Sequence, residues 1–331
     1  MKKIKIAQFG LGPIGLETLR LAAAKPWAEI IGAVDIDPNK AGRDLSELTG
    51  LGRLRGRVVH SSLDALLRSG RPDVIFHTAV SEFKAALPQL APMARAGINV
   101  VSSCEELVFP QLREPLLARR LDQICRKSGA RVVGTGVNPG FVMDLLPVCL
   151  TGVGRQVSAM HIQRVVNAST RREPLQRKIG SGLPPRQFRR LLKEGKAGHA
   201  GLKESLALIA HCLGWRVKRI SESGDAVIAD HDIQTKYLQV KKGETCGLHQ
   251  RAEARIGGKI IISLDLRMYL DAPNPHDAIQ IEGQPPLSLI IPGGVAGDDA
   301  TVAALVNTAP RLLDAKPGLI LITDLPVPKI A

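Results

Sequence analysis

Six residues near the start, Gly10-Leu11-Gly12-Pro13-Ile14-Gly15, limit what this chain can fold into more than any other segment. Three glycines at that spacing are weak evidence alone, because they arise by chance. Their context is stronger: a short apolar run with strand character, 3–9, leads in, and an amphipathic helical stretch, 14–24, leads out. In such a strand–turn–helix, Gly10 permits the tight turn, Gly12 lets the backbone approach a ligand, and Gly15 lets the helix sit against the strand. Pro13 suits the first helical turn, where its missing N–H is no loss. The helix then offers free N–H groups and a partial positive charge, which together suit a pyrophosphate through Leu11, Ile14 and their neighbours.

A second strand signal, 29–35, ends on Asp35, twenty residues past Gly15. A carboxylate there accepts bonds from the ribose hydroxyls of an adenosine and repels a 2′-phosphate, which favours NAD over NADP. Lys40 and Arg43 follow closely and soften that preference, so NADP stays open as a second cofactor. The plainer alternative is a strand-end Asp that caps the next turn.

Further strand signals at 57–60, 73–77, 98–102 and 130–134 alternate with helical stretches at 62–68, 83–96 and 112–128. Strands alternating with helices imply right-handed crossovers and a parallel sheet covered on both faces. The expectation is a doubly wound α/β domain of the Rossmann type over 1–148. Beyond it the signals change. Helical stretches at 186–194 and 202–213 are surrounded by strand signals at 158–167, 226–230, 245–256, 259–270, 278–282 and 287–291. Gly257-Gly258 reads as a hairpin turn. This predicts an α+β domain with a mainly antiparallel sheet over 149–296, for substrate binding. A last helix, 298–314, is expected to return within 297–331 to the first domain.

Composition narrows the function classes. The formal net charge is +14, and ten Lys/Arg between Arg164 and Lys196 face only Glu173 and Glu194. With 3% aromatic residues and no recognised signature for nucleic acid, that excess reads as a solvated basic face. The five cysteines form no CxxC pair, and no histidine stands at ligand spacing, so a metal site is not expected. No apolar run approaches the roughly 18 residues of a membrane span. The start is basic, but the apolar core of a signal peptide does not follow it, so the expectation is a cytoplasmic protein.

Strand ends beside the loop carry the candidates for contact with a nicotinamide ribose: Thr78 and Ala79 after the fourth strand, Ser102 after the fifth. His77 reads as a packed histidine or as a catalytic one. Then come Glu105 and Glu106, of which only one can face inward from an extended segment. A second glycine-rich turn, 134–144, brings Asn138 as a hydrogen-bonding group and Phe141 and Met143 as candidate walls of an apolar pocket.

Four of these segments, GLGPIG (10–15), VDIDPNKAGRDL (34–45), SSCEELVFP (102–110) and GTGVNPGFVMD (134–144), together resemble one family. It is the 2,4-diaminopentanoate dehydrogenase and NAD(P)-dependent amine dehydrogenase family, related to 4-hydroxy-tetrahydrodipicolinate reductases. RVVNAS (164–169), RREPLQ (171–176) and 297–307 continue the likeness. The resemblance implies reversible oxidative deamination of an amine to a ketone or aldehyde plus ammonia, and a homodimer built through the second domain. It implies a catalytic glutamate in the 104–110 segment, Glu105 first and Glu106 second. Among the polar groups that could meet a substrate, Arg164, His199 and the Arg171/Arg172 pair, it makes Arg164 the first choice. The family position matching Asn167 is often acidic, so Asn167 leans away from diamines and toward simple amines. Such chemistry wants a carboxylate, because an ammonium cannot release a hydride until a base takes its proton. The rival enzyme, a cyclic-imine reductase of the dihydrodipicolinate type, usually carries a paired-histidine motif that this sequence lacks. A non-catalytic NAD-binding sensor would need the loop and Asp35 but no glutamate beside the nicotinamide.

Overall fold

Strands buried along their whole length need cover on both faces, and the N-terminal part of the chain supplies it. In the computed structural model, which describes residues 3–331 and so leaves the basic start Met1-Lys2 outside, two compact units form: residues 3–141 with 296–331, and Val142–Val295.

In the first unit, β1 (Ile4–Phe9), β2 (Ala28–Val34), β3 (Val59–His60), β4 (Val74–His77), β5 (Asn99–Ser102), β6 (Arg131–Gly134) and β15 (Gly318–Ile320) make one seven-stranded sheet. Its order is β15-β6-β5-β4-β1-β2-β3, and every pairing is parallel. The order reverses between β1 and β4. In sheets of this kind the crevice outside the C-terminal strand ends at that point is where ligands bind.

The helices are α1 (Pro13–Ala23), α2 (Leu45–Thr49), α3 (Leu63–Ser69), α4 (Phe83–Arg95), α5 (Pro115–Ser128) and α10 (Gly297–Leu313). Phe83, Leu90 and Met93 of α4 and Leu121 of α5 are fully buried against Val100 and Val132 of the sheet. Each such side chain contributes about 1.5–3 kcal/mol through burial. α4 tolerates two internal prolines because Pro88 and Pro92 both lie on its exposed face. There the carbonyls they leave without a helical donor meet water. α10 packs on α1.

In the second unit the order is β14-β13-β7-β12-β11-β8, from β7 (Gln156–Asn167), β8 (Ile220–Ile228), β11 (Thr245–Ile256), β12 (Lys259–Tyr269), β13 (His276–Gln284) and β14 (Leu287–Pro292). Only β7 and β12 run parallel; β11 and β12 form the hairpin read at Gly257-Gly258. A small hairpin joins β9 (Ile233–Gln234) to β10 (Gln239–Val240). Burial alternates along β12, so one face of this sheet is covered. α9 (Leu202–Cys212), buried at nearly every position, packs against β8, β11 and β12. α6 (Leu145–Leu150), α7 (Glu173–Lys178) and α8 (Pro185–Lys193) complete the unit.

Several elements differ from the sequence reading, α2 among them, for which no signal was read. The stretch between Ser169 and Pro185, where no strand or helix signal was read, holds the short α7. β8 starts at Ile220 rather than 226, because its polar residues, ISESGDAVI, suit an exposed edge strand and mask its period. β15 was not visible at all, being three residues long. Among the described residues no helix is long and apolar enough to cross a membrane.

Candidate functional site

The loop after β1 shows which of its glycines the fold itself requires. Gly10 sits at φ +88°, and a Cβ on Gly15 would lie 2.0 Å from the Gly10 carbonyl oxygen. That same carbonyl accepts bonds from Thr78 Oγ1 (2.9 Å) and Gln8 Nε2 (3.1 Å). Gly12 is different. Its backbone is extended (φ −67°, ψ −179°), which any residue can adopt, and a Cβ there would meet nothing within 4 Å. Nothing inside the protein calls for a glycine at 12; a ligand lying along the backbone does. The first turn of α1 has no side-chain cap and no acidic residue, so its N–H groups face no competing anion. The residues present therefore fit a pyrophosphate.

Asp35 follows β2 and ties this loop to the next turn. Its Oδ2 accepts from the Leu11 N–H (2.7 Å) and its Oδ1 from the Asp37 N–H (2.9 Å). A carboxylate has about four lone-pair sites, so ribose hydroxyls can still be received. The capping role and the ribose role of Asp35 are thus compatible.

Downstream of β5 the chain turns through a 3-10 segment, Glu105–Val108. Gly134, at the end of β6, makes room for it: a Cβ there would lie 2.6 Å from the Leu107 carbonyl carbon. The two adjacent glutamates have different surroundings. Glu106 Oε2 accepts from the Phe83 N–H (2.9 Å), closing the N-terminus of α4, and its Oε1 pairs with Arg113 Nε (3.1 Å). Glu105 is half-buried, and its carboxylate has no hydrogen bond or ion pair among the described residues. The turn is held to the segment after β4, where the Ser81 carbonyl accepts from the Glu106 N–H (3.2 Å) and from Cys104 Sγ (3.1 Å). Burial pushes the Cys104 thiol up to about 12, so it stays protonated.

Several sequence candidates turn out to serve the fold. Ser102, expected at the cofactor, is fully buried; its hydroxyl bonds His77 Nδ1 (2.8 Å) and accepts from the Cys104 N–H (3.1 Å). His77 is likewise internal, stacked on Phe9 and bonded through Nε2 to Gln89 Oε1 (2.7 Å). Burial holds its pKa below the usual value, so it is neutral. Thr78 braces Gly10, and Ala79 is exposed beside it. Met143 is fully buried and cannot wall an open pocket, whereas Phe141 is half-buried. Near Asn138, the Val137 N–H donates to Thr301 Oγ1 (3.3 Å).

Arg164 requires the largest correction. Its Nη1 lies 2.9 Å from both oxygens of Asp277, and its Nη2 donates to the Val295 carbonyl (2.6 Å). Only 2% of Arg164 is exposed. The charge offered to a substrate by the sequence reading is already neutralised within the second unit. His199 has its backbone fixed there by Gln250, through bonds of 2.6 and 3.1 Å. Two residues that matter were missed. Gln8, buried under the loop, was signalled by a polar residue inside the apolar strand IKIAQF; Arg113 gave no signal.

Comparison with known proteins agrees with this architecture. A family model described as the 2,4-diaminopentanoate dehydrogenase C-terminal domain matches residues 141–331. The 2,4-diaminopentanoate dehydrogenase of Acetoanaerobium sticklandii is 28% identical over 335 residues, which cover 99% of this chain and 95% of that protein. An amine dehydrogenase of Streptomyces virginiae is 24% identical over 354 residues, covering 98% and 96%. The solved amine dehydrogenase of Mycobacterium smegmatis has the same fold, with a TM-score of 0.88 at 23% identity over 99% of this chain and 97% of that one. The family model spans more than half of the sequence, and the chain belongs to the 2,4-diaminopentanoate dehydrogenase family.

Proposed function

We propose that this protein is an NAD-dependent amine dehydrogenase in which Glu105 moves the proton that the reaction requires. It interconverts an amine with a ketone or aldehyde plus ammonia. The family membership and the names of its relatives support the reaction class. The observation that carries the residue assignment is the contrast on one turn: Glu106 is engaged by Phe83 and Arg113, and Glu105 is not engaged by any described residue.

The loop 10–15 and Asp35 would hold the dinucleotide by its pyrophosphate and adenosine ribose. A bound nicotinamide would supply the acceptor for the hydride of the amine carbon, and its donor in the reverse direction. Glu105 first takes a proton from the substrate ammonium, because only the free amine has the lone pair that drives hydride departure. Loss of the hydride leaves an iminium carbon. Water adds to that carbon, both of its protons pass to the nitrogen, and ammonium leaves as the carbonyl forms. In reverse, Glu105 returns the proton to nitrogen.

The test is oxidation of NADH with a panel of ketones and aldehydes, with and without ammonium. Turnover that requires ammonium is expected. Turnover without it would replace the proposal with an alcohol dehydrogenase, and no turnover across the panel would favour a sensor.

A further inference from the structure

Over 171–219 thirteen Lys/Arg stand against three acidic residues, and the fold gathers part of this excess around one edge of the second sheet. β8 is the last strand in the order of that sheet, so one of its edges is unpaired. The Cys246 carbonyl of β11 accepts from the Leu270 N–H (2.9 Å), which turns that parity of β11 toward β12 and leaves β8 paired through Ser221, Ser223 and Asp225. The Ala226 N–H accordingly turns away, to Asp225 Oδ1 (2.7 Å). Ile220, Glu222 and Gly224 share its parity, so their N–H and C=O groups point off the sheet. Ser221, Ser223 and Gly224 are small and exposed, which leaves this backbone open.

Proteins guard such an edge with Lys or Pro on the strand itself. ISESGDAVI carries neither. The cations flank it instead: Arg216, Lys218 and Arg219 lead directly into β8, and α8, which packs against it, adds Arg186 and Lys193. All five are exposed and have no ion pair among the described residues. The carboxylates of the strand are already matched, Asp225 by Arg189 (2.6 Å) and Glu222 by Lys203 (3.4 Å).

We propose that the outer edge of β8 is a docking site for an extended acidic segment of a partner protein. The segment adds to the sheet as a further strand, and its carboxylates meet the flanking cations. Main-chain bonds to the edge supply affinity, and the charge pairs supply selectivity. A second copy of this chain suits the edge poorly, because it would bring like charges together. A nucleic acid has little to stack on: Trp215 is half-buried, and the exposed Tyr237 lies on the β9–β10 turn. The inference uses no residue of the proposed reaction and stands or falls apart from it.

The test is fluorescence anisotropy of the full chain with a labelled, end-blocked octapeptide of alternating glutamate and threonine. Binding that weakens with added salt is expected. The triple variant Arg216→Glu/Lys218→Glu/Arg219→Glu should bind the peptide about tenfold or more weakly, with NADH affinity unchanged as the sign of an intact fold. The fully N-methylated peptide, which keeps the charges and loses the backbone donors, should weaken by about as much. No binding by wild type, a triple variant that binds as wild type, or equal binding of the N-methylated peptide overturns the proposal. A short oligouridylate of equal charge that binds more tightly overturns it in favour of a nucleic acid. Loss of peptide binding as the chain self-associates overturns it in favour of a second copy.

Discussion

The strand ends of the first sheet and the pairing of β7 with β13 in the second bury polar groups by opposite means. At the strand ends of the first sheet the buried groups are neutral: His77, Ser102 and the amide of Gln89 bond one another, and the carboxylates Asp35 and Glu105 stand on turns beyond the strands. The second sheet carries full charges inside, with Arg164 on β7 directly opposite Asp277 on β13. A carboxylate that must exchange protons with a substrate has to be free of a permanent internal partner. One that holds a fold together needs such a partner. Glu105 meets the first condition, while Glu106 and Asp277 meet the second.

The sharpest way to break this contrast is to neutralise each glutamate of the acidic turn. Glu105→Gln should lower turnover by about 10²–10⁴-fold, the range of a positioned acid–base group, with NADH binding intact by fluorescence titration. Glu106→Gln should cost about 1 kcal/mol of stability, as for a lost helix cap, and far less turnover. If the large kinetic loss falls on Glu106 instead, the assignment moves by one residue.

The buried pair tests the other half of the comparison. Burial pushes the Asp277 carboxyl up and the Arg164 guanidinium down, while each charge pulls the other back. With burial the larger influence on both, the pair is costly to break but weak as a net source of stability. Arg164→Met should therefore cost about 3–5 kcal/mol, because Asp277 is left buried without its countercharge and holds only the Val295 N–H, and the double variant Arg164→Met/Asp277→Leu should regain most of that. Urea unfolding measures both. A double variant no better than the single would mean that the bonds to Val295, and not the charges, hold the site.

A smaller effect separates space from charge on the acidic turn. Gly134→Ala puts a methyl group where the Leu107 backbone now lies. The turn must shift, at about 1–3 kcal/mol of stability. Glu105 would shift with it, so turnover should fall at unchanged NADH affinity. A variant with wild-type kinetics would show that the position of Glu105 tolerates that movement.

What the sequence revealed follows from how local each signal is. The loop 10–15 and the hairpin around Gly257-Gly258 depend on contiguous residues, and both were legible. The choice between Glu105 and Glu106 was not, because it depends on the Phe83 N–H, 23 positions away. The role of Arg164 depends on Asp277, 113 positions away, and no periodicity reports such a partner. Ser102 was placed on the right strand end, but its hydroxyl turns inward to His77, a rotamer choice that only packing determines. β15 is too short to announce itself and exists because β6 offers it an edge.

The neutral network of the first sheet predicts a pH dependence that the ionic pair does not. Burial depresses the pKa of His77, so the folded protein resists a proton that the unfolded chain accepts near the ordinary value of about 6.5. A depressed folded pKa means stability is fully present above that ordinary value and declines as pH falls below it, by up to about 1.4 kcal/mol per pH unit for one proton. His60, also depressed by burial, contributes in the same sense, and the exposed His231, raised by Asp230 and Asp271, in the opposite one. Comparing wild type with His77→Gln cancels both. The variant should be less stable at pH 7, having lost the fit between Ser102 and Gln89, yet its unfolding midpoint should change less between pH 7 and about pH 5. Parallel curves would mean that His77 titrates alike in the folded and unfolded chains, and that the network at the strand ends is open to water.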